Sequence, residues 1–291
     1  MKASTEWLAT SGAEFSPGLG RWGCAHLKYY TAAYREWGEG PPLVLIPGLA
    51  GGVELLGPVA RCLAQHFRVI SYQLRGEDDC FALRCRFGLE DLVDDLAEFL
   101  EWHGLERPAL FGVSFGGALA LEYAARHANR LSGLAVQGAG AWFEGGLMQR
   151  IGGMVLGRYP LPADNPFVNQ FFNLFFGRRP EPGPLFQFVT RHCWQTDQSV
   201  MAHRFHMVED FDLRGRLDQI TTPTLLLSGE RDVLVSQRSL QALAAGLPDS
   251  QLLQLPGAGH LAFATEPQRV AAAVAKFLAV NDEVSTLTEP G

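Results

Sequence analysis

The chain has 291 residues, 47% of them hydrophobic, which suits one large α/β domain or a core with an insertion better than several independent domains. A net charge of −7 without basic blocks argues against a nucleic-acid partner. No run reaches membrane-spanning length without a charge, Gly or Pro, and Met1 to Gly20 is polar and Gly-rich without the apolar centre of a signal peptide. The five cysteines (Cys24, Cys62, Cys80, Cys85, Cys193) are scattered and odd in number. Cys80 and Cys85 have no second Cys/His pair at ligand spacing, so reduced thiols, no metal and a cytoplasmic location are expected.

Residues 1–23 lack periodicity and read as an N-terminal extension. Leu27 to Trp37 reads as a β-hairpin arm, and Gly38 to Pro42 as a turn. Leu43-Val44-Leu45-Ile46 is a fully apolar strand, the kind buried on both faces of a parallel sheet. It runs into Pro47-Gly48-Leu49-Ala50-Gly51-Gly52, a loop whose backbone N–H groups are free to face outward. A helix over Glu54 to Gln65 and a strand over Phe67 to Tyr72 follow.

Leu89 to His103 predicts an amphipathic helix with a Leu92, Val93, Leu96, Phe99 and Leu100 stripe. Its acidic residues Glu90, Asp91, Asp94, Asp95, Glu98 and Glu101 read as a solvated face. Pro108 to Val113 and Leu131 to Val136 are the next strands. From 141 to 213 the composition turns to Phe, Trp, Gly and Pro, which predicts a mostly helical insertion. A helical turn at Leu213 to Leu217 ends it. Strand–helix alternation resumes with Pro223 to Ser228, a helix at Ser239 to Ala245, a strand at Gln251 to Leu255 and a closing helix at Pro267 to Ala279. Residues 281–291 read as a frayed tail. Such alternation predicts a doubly wound, mostly parallel sheet, with functional groups in loops at the carboxyl ends of its strands.

Gly112-Val113-Ser114-Phe115-Gly116 lies between a strand and a helix, the arrangement of a nucleophile elbow. A turn that sharp strains the serine backbone and needs small neighbours two residues away. It exposes the hydroxyl beside the N-terminus of the following helix, whose free N–H groups favour negative charge. A serine hydroxyl needs a base, usually an imidazole oriented by a carboxylate. Two later strand ends supply candidates: Glu230 or Asp232 after Leu225-Leu226-Leu227, and His260 after Gln254-Leu255. His66, His103 and His127 fall near helix ends. His192, His203 and His206 lie in the insertion, where contact with a substrate is conceivable.

Over residues 24–280 the chain resembles the α/β-hydrolase superfamily. The stretches that carry the resemblance are Gly38 to Leu45, Gly112-Val113-Ser114-Phe115-Gly116-Gly117, Gly229-Glu230-Arg231-Asp232 and Gly257-Ala258-Gly259-His260. It implies an α/β-hydrolase core at 24–140 and 214–280 and a helical cap at 141–213, as in esterase-like members. It implies Ser114 as nucleophile, His260 as base and Asp232 as its orienting acid, with Glu230 exposed. It also implies an oxyanion hole made by the backbone N–H groups of Phe115 and Leu49. Pro47 stands where many relatives carry His, and Gln73 where they often carry Asp; neither change removes a member of that set.

Trp142, Phe143, Phe171, Phe175 and Leu261 are candidate pocket residues. Phe167, Phe171, Phe172, Phe175 and Phe176 recur at roughly helical spacing, which cap-to-core packing also explains. Serine rather than aspartate at 114 excludes an alkyl-ester mechanism, because a serine ether offers water no carbonyl to attack. The expectation is a cofactor-free hydrolase of a small to medium, largely apolar ester, monomer or homodimer, with no nucleic-acid or membrane partner. A lactonase or meta-cleavage-product C–C hydrolase is the enzymatic alternative, with peroxide-dependent activity a side reaction of the same site. A receptor that kept the fold is the alternative of another class.

Overall fold

The computed structural model describes residues 20–77, 87–158, 161, 165, 169, 173–177 and 183–288. Its strands are β1 Arg21–His26, β2 Thr31–Trp37, β3 Pro42–Ile46, β4 Arg68–Tyr72, β5 Ala109–Val113, β6 Gly133–Gln137, β7 Thr224–Gly229 and β8 Ser250–Leu255. They form one sheet in the order β1-β2-β4-β3-β5-β6-β7-β8. The β1–β2 and β2–β4 pairings are antiparallel, and every pairing from β4 across to β8 is parallel.

The apolar strands follow from burial on both faces. Val44, Ile46, Ile70 and Leu110 are fully buried under the helices Leu89–Trp102 and Phe115–Arg126. Leu43, Leu45, Val69 and Phe111 are fully buried on the other face, with Val59 and Leu63 of helix Gly57–Leu63 and Val270 and Val274 of helix Pro267–Thr288. Each such side chain contributes about 1.5–3 kcal/mol relative to exposure. The sequence pattern is therefore that of a sheet sandwiched between helical layers, an α/β-hydrolase fold.

Four local readings change. The hairpin begins at Arg21, so 21–23 belong to β1 and not to an extension. The helix expected over Glu54 to Gln65 is two pieces, Gly52–Leu55 and Gly57–Leu63, because Pro58 has no N–H to continue the first and is well placed to start the second. The closing helix runs to Thr288, through most of the stretch read as a frayed tail; no Gly or Pro interrupts it before Pro290. Asp95 is not on a solvated face. It is 2% exposed and takes two hydrogen bonds from Arg75, at 2.9 and 2.5 Å.

The segment between β6 and β7 leaves and re-enters the core at one point. Trp142 and Asp212 form an antiparallel bridge, flanked by Phe143 N–H donating to Phe211 O and Leu213 N–H donating to Ala141 O. Its described helices are Leu147–Arg158, Pro184–Cys193 and Gln198–Glu209. Pro184 opens the second, and the Asp197 carboxylate caps the third by accepting from Ser199 N–H at 2.7 Å. No described helix is long and apolar enough to cross a membrane.

Candidate active site

Ser114 joins β5 to helix Phe115–Arg126 with φ 53° and ψ −114°. Among the described residues it is the one non-glycine with positive φ. Strain of that kind costs on the order of 1–3 kcal/mol and persists where the surroundings over-determine it. Here they do. A Cβ at Gly112 would stand 2.3 Å from Gly116 O, and one at Gly116 would stand 2.3 Å from Ile46 O and 2.5 Å from Pro47 O. Only glycine lets the helix start this close to β5 and to the loop after β3. Ser114 N–H donates to Gln137 O at 2.8 Å, which ties the turn to β6.

The loops after β7 and β8 bring the acid and the imidazole to the serine. His260 Nε2 lies 2.8 Å from Ser114 Oγ, and His260 Nδ1 lies 2.8 Å from Asp232 Oδ2. The Asp232 side chain is 1% exposed and that of His260 6% exposed. Asp232 Oδ1 accepts the N–H groups of Leu234 and Val235 at 2.8 and 3.2 Å. Burial pushes the Asp232 carboxyl up, but the His260 charge and hydrogen bond and those two N–H groups outweigh it, so the acid sits below its ordinary value and is ionised at neutral pH. Glu230 is exposed and accepts Gly257 N–H at 2.7 Å, away from the imidazole.

A cavity of about 290 Å³ opens over Ser114. Leu49, Phe115, Trp142, Phe143, Phe175 and Leu261 all line it. Phe171 lies outside the described residues, as do Phe167, Phe172, Cys80 and Cys85. Ile151, Val155, Phe205, Val208, Val233 and Leu234 extend the apolar wall, and no Lys or Arg is in the described lining. Among the described residues, no other group takes the backbone N–H of Leu49 or Phe115, and a Cβ on neighbouring Gly48 would lie 3.7 Å from Ser114 Cβ. Cys193 also lines the cavity, but burial pushes its thiol up to about 12, so it stays protonated and is a poor rival nucleophile.

The insertion histidines do not line the cavity: His192 pairs with Gln195, His203 with Phe87 O and His206 with Glu209. Other residues hold the site and escaped the sequence reading. Gln137, fully buried at the end of β6, donates to His260 O at 2.8 Å and accepts Phe263 N–H at 3.2 Å, fixing both sides of the imidazole loop. Ser239 Oγ accepts Trp142 N–H at 3.1 Å and donates to Trp142 O at 2.7 Å. A polar residue ending an otherwise apolar strand was the visible signal for Gln137; Ser239 had none. Phe176 is buried against Phe186, while Phe175 O accepts Leu261 N–H at 3.0 Å.

The comparisons agree with this geometry. A family model described as the alpha/beta hydrolase fold matches residues 41–267. The chain is 27% identical over 258 residues to a pimeloyl-[acyl-carrier protein] methyl ester esterase of Nitrosospira multiformis, covering 82% of this chain and 95% of that one. It is 27% identical over 235 residues to the "Putative carbamate hydrolase RutD" of Cronobacter turicensis, covering 79% and 87%. A crystal structure of a hydrolase from Pseudomonas aeruginosa PA01 shares the fold with a TM-score of 0.78 and 24% identity, over 90% of this chain and 99% of that one. Sheet order, elbow and a family match over more than half its length agree: the chain belongs to the α/β-hydrolase family and is a hydrolase.

Proposed function

We propose that this hydrolase cleaves a small to medium, largely apolar carboxylic ester through an acyl-enzyme on Ser114. The observation that carries the reading is the unbroken chain of hydrogen bonds from Asp232 through His260 to Ser114, opening into an apolar cavity. Ser114 Oγ attacks the ester carbonyl while its proton passes to His260 Nε2. The Leu49 and Phe115 N–H groups receive the developing oxyanion, the kind of fixed dipole that is usually the largest single contribution to such catalysis. Collapse of the tetrahedral intermediate breaks the bond to the alkoxy oxygen, which leaves with the proton from His260. Water then gives its proton to His260 and attacks the acyl-enzyme, and the second collapse returns that proton to Ser114 Oγ. Asp232 keeps the imidazole in the tautomer with Nε2 facing the serine and stabilises its charged form. The reading needs no metal, organic cofactor or second chain.

In this account 141–213 is a cap that shapes the substrate, with its helices Leu147–Arg158 and Gln198–Glu209 supplying part of the cavity wall. A lactone, being a cyclic ester, fits the same chemistry. Ring-cleavage dienoates carry carboxylates, and the absence of Lys or Arg from the described lining disfavours them. The apolar lining likewise favours a hydrocarbon acyl group over a compact carbamate. A receptor needs neither an ionised Asp232 nor strain at Ser114. The test is a p-nitrophenyl ester panel from acetate to dodecanoate on wild type and Ser114→Ala. Turnover that peaks at one chain length and disappears in the variant is expected; a folded wild type inert on every ester would sink the reading.

A further inference from the structure

Arg204 sits on cap helix Gln198–Glu209 and is fully buried; it hydrogen-bonds none of Ser114, Asp232 and His260, but reaches the Leu49 carbonyl and lies over the Phe115 ring, 5.9 Å from its centroid. Its guanidinium bridges two core loops. Nη1 donates to Glu77 Oε1 at 2.5 Å and to Leu49 O at 3.2 Å; Nη2 donates to Arg75 O at 3.2 Å and Leu74 O at 3.4 Å. Glu77, 7% exposed, also accepts from Thr196 Oγ1 at 3.2 Å, and Thr196 Oγ1 accepts Gly51 N–H at 3.0 Å. Two residues from the cap segment, Arg204 and Thr196, therefore hold the loop after β3 on both sides of Ala50.

That loop needs holding. It carries Gly48, Gly51 and Gly52, and Gly51 and Gly52 have φ of 87° and 47°. Glycines make the turn possible and leave it conformationally free. A buried ion pair adds little net stability, because desolvation offsets most of its attraction. What the forked guanidinium fixes is direction. We propose that Arg204 is a positioning residue: with Glu77 and Thr196 it keeps the Leu49 peptide aimed at the oxyanion, and it does so only while the cap is seated. The proposal rests on the serine-hydrolase reading above. It makes cap docking and oxyanion geometry one event, so a cap lifted for substrate entry leaves the serine without a complete hole.

Arg204→Met and Thr196→Val test this against wild type in three readouts. The first is kcat and KM on the best ester of the panel. The second is the affinity of a trifluoromethyl ketone, whose adduct with Ser114 puts an oxyanion in the hole. The third is hydrogen exchange of the loop amides in ligand-free protein. Arg204→Met should lower kcat by about 10- to 100-fold with KM within about twofold, the scale of a catalytic group displaced by an ångström. Ketone affinity should fall in step with kcat/KM, and amides from Leu49 to Gly52 should exchange faster while those of β3 and β5 stay protected. Thr196→Val, nearly isosteric, should move all three in the same direction by less, and Arg204→Lys should restore only part because it lacks the fork. Folded variants with wild-type kcat and wild-type loop exchange would overturn the proposal, as would a loss confined to KM. Should Arg204→Met fail to fold, Thr196→Val carries the same test. A wild type that turns over no ester ends the serine-hydrolase reading, and the exchange readout still decides whether Arg204 and Thr196 hold the loop.

Discussion

The elbow at Ser114 and the helix Leu147–Arg158 treat glycine differently. In the core, an added Cβ at Gly112 or Gly116 would strike backbone at 2.3 Å. In helix Leu147–Arg158, an added Cβ at Gly152 or Gly157 would meet nothing within 4 Å, and one at Gly153 would meet the Phe205 side chain at 2.6 Å rather than backbone. Burial differs in the same sense: every residue of β5 and β6 is buried, and none of residues 150–157 is. At the elbow, backbone contacts admit no side chain. Helix Leu147–Arg158 leaves room, and beside Gly152 that room is part of the cavity. The two regions therefore differ in their tolerance to change.

The largest effect should come from attacking the core's tightest contact. Gly112→Ala is expected to cost more than about 4 kcal/mol, beyond the range of ordinary substitutions. Soluble yield and urea unfolding would check it, and a stable Gly112→Ala protein would break the contrast. Asp232→Asn should keep the fold and lower kcat about 10³- to 10⁴-fold, since the amide favours the wrong imidazole tautomer. Steady-state kinetics with a circular dichroism control would show it; a drop of less than tenfold would leave His260 oriented by something else.

A smaller effect tests how far the core's rigidity reaches. His103 packs edge-on against Tyr34 and Phe99, each 4.6 Å between ring centroids, and its buried Nε2 has no partner. Burial, with the Arg68 charge beside it, pushes this imidazole down to about 4. The unfolded chain therefore takes up the proton first, and stability is complete above about pH 6.5 and lost as pH falls toward 4. His103→Phe should flatten that slope by about 1 kcal/mol, allowing for partial solvent contact. Chemical denaturation at several pH values reads it out; an unchanged slope would contradict the assignment. Smallest in stability is Gly152→Ala, which should raise it by up to about 1 kcal/mol through helix propensity. Because Gly152 lines the cavity, the same change should move the ester panel's optimum toward shorter chains. A larger replacement, Gly152→Leu, should move it further.

The same contrast explains what the sequence made legible. Strand–turn–helix around Ser114, and the order serine, acid, histidine after β5, β7 and β8, are patterns readable along the chain, and the structure joins those residues at 2.8 Å. Leu49 and Phe115 were named by the family resemblance, Phe175 by its spacing in the insertion, and Trp142, Phe143 and Leu261 by their places just past a strand end or the histidine; all six line the cavity. The burial of Asp95 was not readable, because a helical stripe carries no trace of Arg75, twenty residues earlier in the chain, that pairs with it. Arg204 and Glu77 lie 127 residues apart and meet only in the folded chain. Long-range polar pairing leaves no periodic signature, so the contacts between residues 141–213 and the sheet's loops waited for the structure.

In the proposed reaction Ser114 carries the acyl group between two half-reactions. Rapid quenching of the wild type with a p-nitrophenyl ester, followed by peptide mass spectrometry, tests it directly. The expected result is a burst of nitrophenol matching the enzyme concentration and one acyl adduct on the peptide containing Ser114, both absent in Ser114→Ala. Turnover with no adduct at any quench time, retained when Ser114 is replaced, would contradict it.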